Sequence, residues 1–283
     1  MELQRYLHEH FAKRTAYNYK LMIERYCGQT KNPEKAKYKD VVNYLEQHRQ
    51  SGKKSSTLIS YLGAIKVYYD YLKQSGSRMD HPCKHMRLKD SIDPRVNVQD
   101  LFSSTDLELL LEQSTSKVPM RDKVIVSLLI YQALTTKNVI NLEVKDINLE
   151  RATIYVKAGL ELNERTLELH PKQIMLINEY LHKERPALNT RRSTKMIITT
   201  KGNPETGVAI RWVIDQSKHL FPTKTLSALA IRQSVIANLL KAGKDVRSVQ
   251  VFAGHRSPLT TERYQQSGIE ELTAAVMKFH PLS

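Results

Sequence analysis

The stretch VFAGHRSPLTTERY, Val251 to Tyr264, sets a Gly254-His255 pair nine residues ahead of a tyrosine. A glycine after an apolar helical run commonly ends the helix in the left-handed conformation, so a Gly-His turn serves packing and capping as readily as chemistry. Upstream, Ala230-Ile231-Arg232 stands near the start of a helix expected from about Thr225 to Lys241, and Arg232 precedes His255 by 23 residues. An arginine there suits a DNA phosphate or a carboxylate partner equally.

The chain has 283 residues, with 44 Lys plus Arg against 29 Asp plus Glu, for a net charge of +15. Residues 1–98 carry 19 basic and 10 acidic side chains, and residues 99–283 carry 25 and 19. Excess positive charge on both parts points to a polyanionic partner touched by both. Cys27 and Cys83 stand alone, without metal-ligand spacing, which argues against a zinc module or a disulfide framework; each reads as a small buried hydrophobe. The nearly apolar run Val124–Tyr131 is far too short to cross a bilayer, and the first 20 residues show no leader pattern. The expectation is a soluble protein of the cytoplasm, with no cofactor and no metal.

The length suits two domains. Helical spacing is expected over Arg14–Thr30, with Tyr17, Leu21, Ile23 and Tyr26, and over Tyr38–Gln50, with Val41, Val42, Tyr44 and Leu45. Ser55 or Ser56 is expected to cap a helix through Leu58, Leu62, Ile65, Tyr68, Tyr69 and Leu72, ended by Gly76. His81–Val96, with two prolines, reads as a linker. Beyond it, Ser104-Thr105-Asp106 should cap a helix, and apolar helices follow over Asp122–Leu134 and Thr136–Leu142. The period then changes to short strands at Asp146–Asn148, Ala152–Lys157 and Arg165–Leu169, with a further strand at Met196–Thr199. Helices return at Lys172–Lys183, Val208–His219, Thr225–Lys241, Val246–Val251 and from Thr260 onward. The fold class expected is mainly α with a small antiparallel sheet: a helical domain over 1–88, a linker at 89–98, and a larger domain over 99–283.

In order of elements and in the spacing of Arg232, His255 and Tyr264, the chain resembles the tyrosine recombinase, or phage integrase, family over nearly its whole length. That resemblance implies a helical SAM-like core-binding domain and a catalytic-fold domain that clamp duplex DNA. It also implies a tyrosine that attacks a backbone phosphate to give a 3′-phosphotyrosine, without metal or ATP. Arginines and histidines stabilise the growing phosphorane charge, and a lysine protonates the leaving oxygen. Carried over by position, Tyr264 matches the nucleophile, Arg232 the second arginine and His255 the late histidine. Thr135 stands where the first arginine belongs, Leu160 where the lysine belongs and Leu229 where the histidine of the H-x-x-R box belongs. Lys137 and Lys157 are the candidate substitutes.

By the same resemblance, the DNA-facing positions are Lys13, Arg14, Thr15 and Tyr17, and Lys53, Lys54, Ser55, Ser56, Thr57 and Tyr61. In the second domain they are Arg165, Lys224 and Arg232. The absent groups favour a sequence-specific DNA-binding regulator, such as a phage-type repressor, with an active site-specific recombinase or integrase as the alternative. A helical RNA-binding or scaffold protein is a third reading, weakened by the lack of aromatic platforms or glycine motifs. The partner expected is double-stranded DNA in a bacterial or phage setting. A C-terminal helix, Ile269–Phe279, is expected to mediate self-association on DNA.

Overall fold

The computed structural model describes residues 2–88, 101–113 and 118–264. The chain divides into two compact units, Met1–Asp93 and Pro94–Ser283. The linker expected at 89–98 and the helix expected over Ile269–Phe279 fall outside the described residues.

The first unit consists of α1 (Leu3–His10), α2 (Lys13–Gln29), α3 (Tyr38–Gln50) and α4 (Ser55–Gln74). Its core is rich in tyrosine: Tyr6, Tyr26, Tyr44, Tyr61, Tyr68 and Tyr69 are buried among Leu, Ile and Val. Buried phenols usually find partners for their hydroxyls. Two of them pair, Tyr26 with Tyr69 at 2.7 Å, and Tyr69 also reaches the Pro33 carbonyl. The face anticipated for α4 is the buried one, including Leu58, Leu62, Ile65 and Leu72. On α2, however, Ala16, Ile23 and Tyr26 face the core while Tyr17 and Leu21 are exposed. Val42 on α3 is likewise exposed. Ser55 does not cap α4: Lys54 holds the cap position, without a side-chain cap bond, and Ser55 is the first helical residue. The first part of the anticipated linker is packed rather than free, since Cys83 and Met86 belong to this core. Cys27 is only half-buried.

The second unit is built around α6 (Met120–Tyr131), whose residues Val124–Ile130 are buried on every side. A helix apolar all round belongs in the middle of a helical layer, and α6 packs against α5 (Ser104–Gln113), α8 (Pro171–Glu179), α10 (Gly207–Asp215) and α11 (Ala228–Lys241). The cap of α5 is Ser103 rather than Ser104, through reciprocal bonds with Asp106. α6 stops before Gln132, and Ala133 takes a left-handed φ of 48°, so the anticipated extension to Leu134 is lost to a tight turn. A short α7 (Thr136–Asn141) follows.

β1 (Ile147–Asn148), β2 (Thr153–Val156) and β3 (Arg165–Glu168) form an antiparallel sheet in the order β1-β2-β3, with Val156 opposite Arg165. Ile154, Val156 and Leu167 point into the core, and alternation sends Tyr155 and Thr166 outward. Met196–Thr199 is no strand: Lys195 and Ile198 make only isolated bridges. After α8, a π turn at Tyr180–Glu184 leads into α9 (Arg185–Leu188). Downstream of α11 lie α12 (Val246–Ala253) and helical residues 258–264. No helix of the described residues is long and apolar enough to cross a membrane.

Candidate active site

α11 begins at Ser227, whose Oγ accepts from the Ala230 amide and so fixes the first turn. That turn directs Arg232 inward, where it is 5% exposed. Its Nη1 donates to the Ala133 carbonyl and its Nη2 to the Ala253 carbonyl at 2.7 Å. The left-handed turn after α6 therefore offers a carbonyl to Arg232 where the resemblance called for another arginine. Thr135 itself caps α7: its Oγ1 accepts from the Asn138 amide at 3.1 Å and donates to Asn138 Oδ1 at 2.8 Å.

α12 is capped at its start by Asp245 and ends at Gly254, which has a φ of 72°. The reversal points His255 into the protein, where it is 6% exposed and its Nδ1 pairs with Thr261 Oγ1 at 2.8 Å. Burial, and then the charges of Arg232 and Arg165, push the imidazole down to about 4, so it is neutral at physiological pH. Tyr264 packs half-buried against Ile236, Val249 and Ala253. Burial raises its phenol above the ordinary value. Arg232, a hydrogen bond with Gln233, and Arg263 oppose that rise.

Arg165 also belongs here, not on an open DNA-facing surface. At the start of β3 it is 6% exposed, and burial followed by the neighbouring Arg232 charge pushes it down to about 10. It stays charged at neutral pH. Its Nη1 makes a long 3.4 Å bond to the Asn163 carbonyl, while Nε and Nη2 have no partner among the described residues. The loop between β2 and β3 is tied to the His255 turn: Asn163 donates to the Gly254 carbonyl at 2.8 Å, Leu162 bridges His255, and Arg256 donates to the Gly159 carbonyl at 2.9 Å.

A hollow of about 340 Å³ opens beside Arg232, bordered by Thr135, Lys137, Leu160 and Leu229. Leu160 is 88% and Leu229 63% exposed, so neither is a core residue. A larger hollow of about 750 Å³, between α5, α6, α8 and α11, contains none of these groups. Of the two candidate substitutes, Lys137 borders the Arg232 hollow, whereas Lys157 is held by Glu143 at 3.1 Å and Asp146 at 3.4 Å.

The remaining DNA-facing candidates separate in the same way. Lys13, Arg14, Tyr17, Lys53, Lys54 and Ser56 are exposed at the starts of α2 and α4, with Thr15, Ser55 and Thr57 half-buried beside them. Tyr61 is buried, and its hydroxyl accepts from Arg25 at 2.6 Å, which removes it from the surface. Lys224 is a staple, bonded to Asp106 at 2.8 Å and to the Leu101 carbonyl and lying over the Phe102 ring.

Residues 101–271 match the model of the phage integrase family, and residues 3–76 match that of the phage integrase N-terminal SAM-like domain. The chain belongs to the phage integrase family. Among its relatives, the tyrosine recombinase XerC of Staphylococcus haemolyticus (strain JCSC1435) is 24% identical over 249 residues, spanning 86% of this chain and 82% of that protein. The tyrosine recombinase XerD of Listeria monocytogenes serotype 4b (strain F2365) is 25% identical over 256 residues, spanning 88% and 84%. In fold the chain is similar to XerH site-specific recombinase bound to palindromic difH substrate, with a TM-score of 0.71 at 19% identity over 90% of this chain and 76% of that one. It is also similar to the Tn1549 transposon integrase in complex with transposon right end DNA, with a TM-score of 0.68 at 16% identity over 97% and 99%. These phage integrase relatives are named as recombinases and integrases, not repressors, so the expectation of a regulator gives way to the recombinase alternative.

Proposed function

We propose that this phage integrase family member is a site-specific recombinase that cuts and rejoins duplex DNA through Tyr264. The observation that carries this reading is the meeting of buried Arg232 and His255 with half-buried Tyr264, from three separate segments, with a neutral imidazole beside fixed positive charge. Tyr264 Oη attacks the phosphorus of a backbone phosphodiester. The phenol gives up its proton, the bond from phosphorus to the 5′ oxygen breaks and that oxygen takes up one proton, leaving a 3′-phosphotyrosine and a 5′-hydroxyl. Attack by a 5′-hydroxyl on the same phosphorus reverses the step and releases Tyr264. Fixed guanidinium groups bind the phosphorane more strongly than the ground-state diester, which is how such groups lower the barrier.

In this reading residues 1–88 form the core-binding domain and 99–283 the catalytic domain. The exposed basic residues at the starts of α2 and α4, Lys13, Arg14, Lys53 and Lys54, suit contacts to the phosphate backbone, where free helix N–H groups already favour anions. Self-association on DNA through residues 269–279 completes the proposal, and gel filtration with and without a duplex site checks it.

The decisive experiment selects bound fragments from a genomic library, then nicks a selected duplex near the cleavage point so that religation is blocked. A covalent protein–DNA adduct that vanishes in Tyr264→Phe is the expected result. Leu160 and Leu229, exposed around the hollow where a lysine and a histidine belong, favour a second reading: a regulator that binds without cutting. Specific footprinting with no adduct in the wild-type protein would decide for it.

A further inference from the structure

Arg165 is more than nine-tenths buried, yet among the described residues two of its three guanidinium nitrogens find no hydrogen-bond partner. Among the described residues no carboxylate pairs with it; the charge it feels is that of Arg232, which is also buried. Two cations placed together out of water, one of them with open donors, are a costly arrangement unless an anion joins them. Arg232 lies against the hollow bordered by Thr135 and Lys137, so an anion that reaches Arg232 from there also meets the field of Arg165.

The local structure is arranged to keep Arg165 in this place. Its stem enters from β3, opposite Val156, and its Nη1 rests where Gly254 has only a hydrogen: a Cβ there would stand 2.6 Å from Nη1 and 3.1 Å from Cδ. Thr135 is committed to capping α7 and supplies no charge. We propose that Arg165 and Arg232 together form the phosphate site of this protein, with Arg165 supplying the second guanidinium that position 135 lacks. The inference rests on the recombinase reading only in taking that phosphate to be the one Tyr264 attacks. Because Nε and Nη2 are sealed from solvent, the wall of the site must part for a phosphate oxygen to reach them directly.

The test uses the full-length protein and inorganic phosphate, titrated calorimetrically at constant ionic strength against chloride. Saturable binding at one site is expected, weakened about 10- to 100-fold in Arg165→Met, the range for losing a charge-assisted bond pair. Arg165→Lys, which keeps the charge but not the fork, should fall between the two. Lys73→Met, at the exposed last turn of α4 in the first unit, should bind as the wild type does. Arg165→Met removes an unpaired buried charge for an apolar chain of similar length, so it should fold, and Arg165→Lys provides a second folded comparison. No saturable binding by the wild type, or undiminished binding in both Arg165 variants, overturns the proposal. Failure of the Tyr264 adduct assay would instead remove strand cleavage while leaving the phosphate titration to stand by itself.

Discussion

Gly254 and Arg165 are in contact across two elements: a methyl group on Gly254 would lie 2.6 Å from Arg165 Nη1 and 3.0 Å from the Asn163 carbonyl. Gly254 also sits at a φ of 72°, where a side chain costs about 1–2 kcal/mol by itself. Gly254→Ala should therefore lower stability by about that amount and displace the guanidinium. Urea unfolding measures the first effect. Phosphate titration measures the second, and affinity unchanged from wild type would show that Arg165 tolerates the displacement.

Lys137 borders the Arg232 hollow, whereas Lys157 is engaged by Glu143 and Asp146. Lys137→Met should slow formation of the Tyr264 adduct by about 100-fold, within the usual range for a lost general acid. A substrate with sulfur at the 5′ bridging position should erase most of that defect, because a thiolate leaves without a proton. Lys157→Met should leave adduct formation within about threefold, since its charge is directed at carboxylates. A large loss in Lys157→Met would reverse the two assignments.

His255 sets a pH dependence. Its folded value is about 4, against an ordinary value of about 6.5, so the unfolded chain binds the proton more readily. Stability contributed by the neutral imidazole is complete above about pH 6.5 and is lost as pH falls toward 4, up to about 3 kcal/mol. Urea midpoints measured between pH 7 and 4 should fall more steeply in the wild type than in His255→Gln. A bound phosphate offsets the charge of Arg232 and Arg165, so saturating phosphate should raise the pH at which His255 titrates. Histidine NMR shifts would show it.

Much of the fold was legible because periodicity reports burial. The apolar run at 124–130 and the α4 face carry that signal, and both are buried. The rest depended on tertiary choices: which side of α2 meets the core, and whether Met196–Thr199 finds a strand partner. At the site, spacing located Arg232, His255 and Tyr264, which are brought together. The resemblance placed Tyr61 and Lys224 on the DNA-facing surface, but their polar ends are occupied by Arg25 and Asp106. Arg165 was visible as a basic residue near a turn, but its situation depends on burial beside Arg232, which no local pattern encodes. The one usable signal was Gly254, a residue that makes room for something.

Thr135 offers a further check on that substitution of roles. Thr135→Arg restores the residue type the family places there, but it removes a helix cap worth about 1 kcal/mol. It also brings a third cation toward Arg165 and Arg232. Lower thermal stability, with no gain in adduct formation, is the expected outcome. A gain of tenfold or more would mean that Arg165 leaves the second guanidinium role unfilled.

The loop between β2 and β3 is laced to the His255 turn through Asn163, Leu162 and Arg256. Arg165 and His255 are therefore held in register before any duplex is encountered, and on the recombinase reading the protein carries this pair assembled past every sequence it visits. Restraint at wrong positions cannot come from leaving this pair unassembled. On the recombinase reading it falls to the parting of the wall over Arg165 and to Tyr264, which lies beyond the lacing, so fidelity should be sought in what governs those two movements.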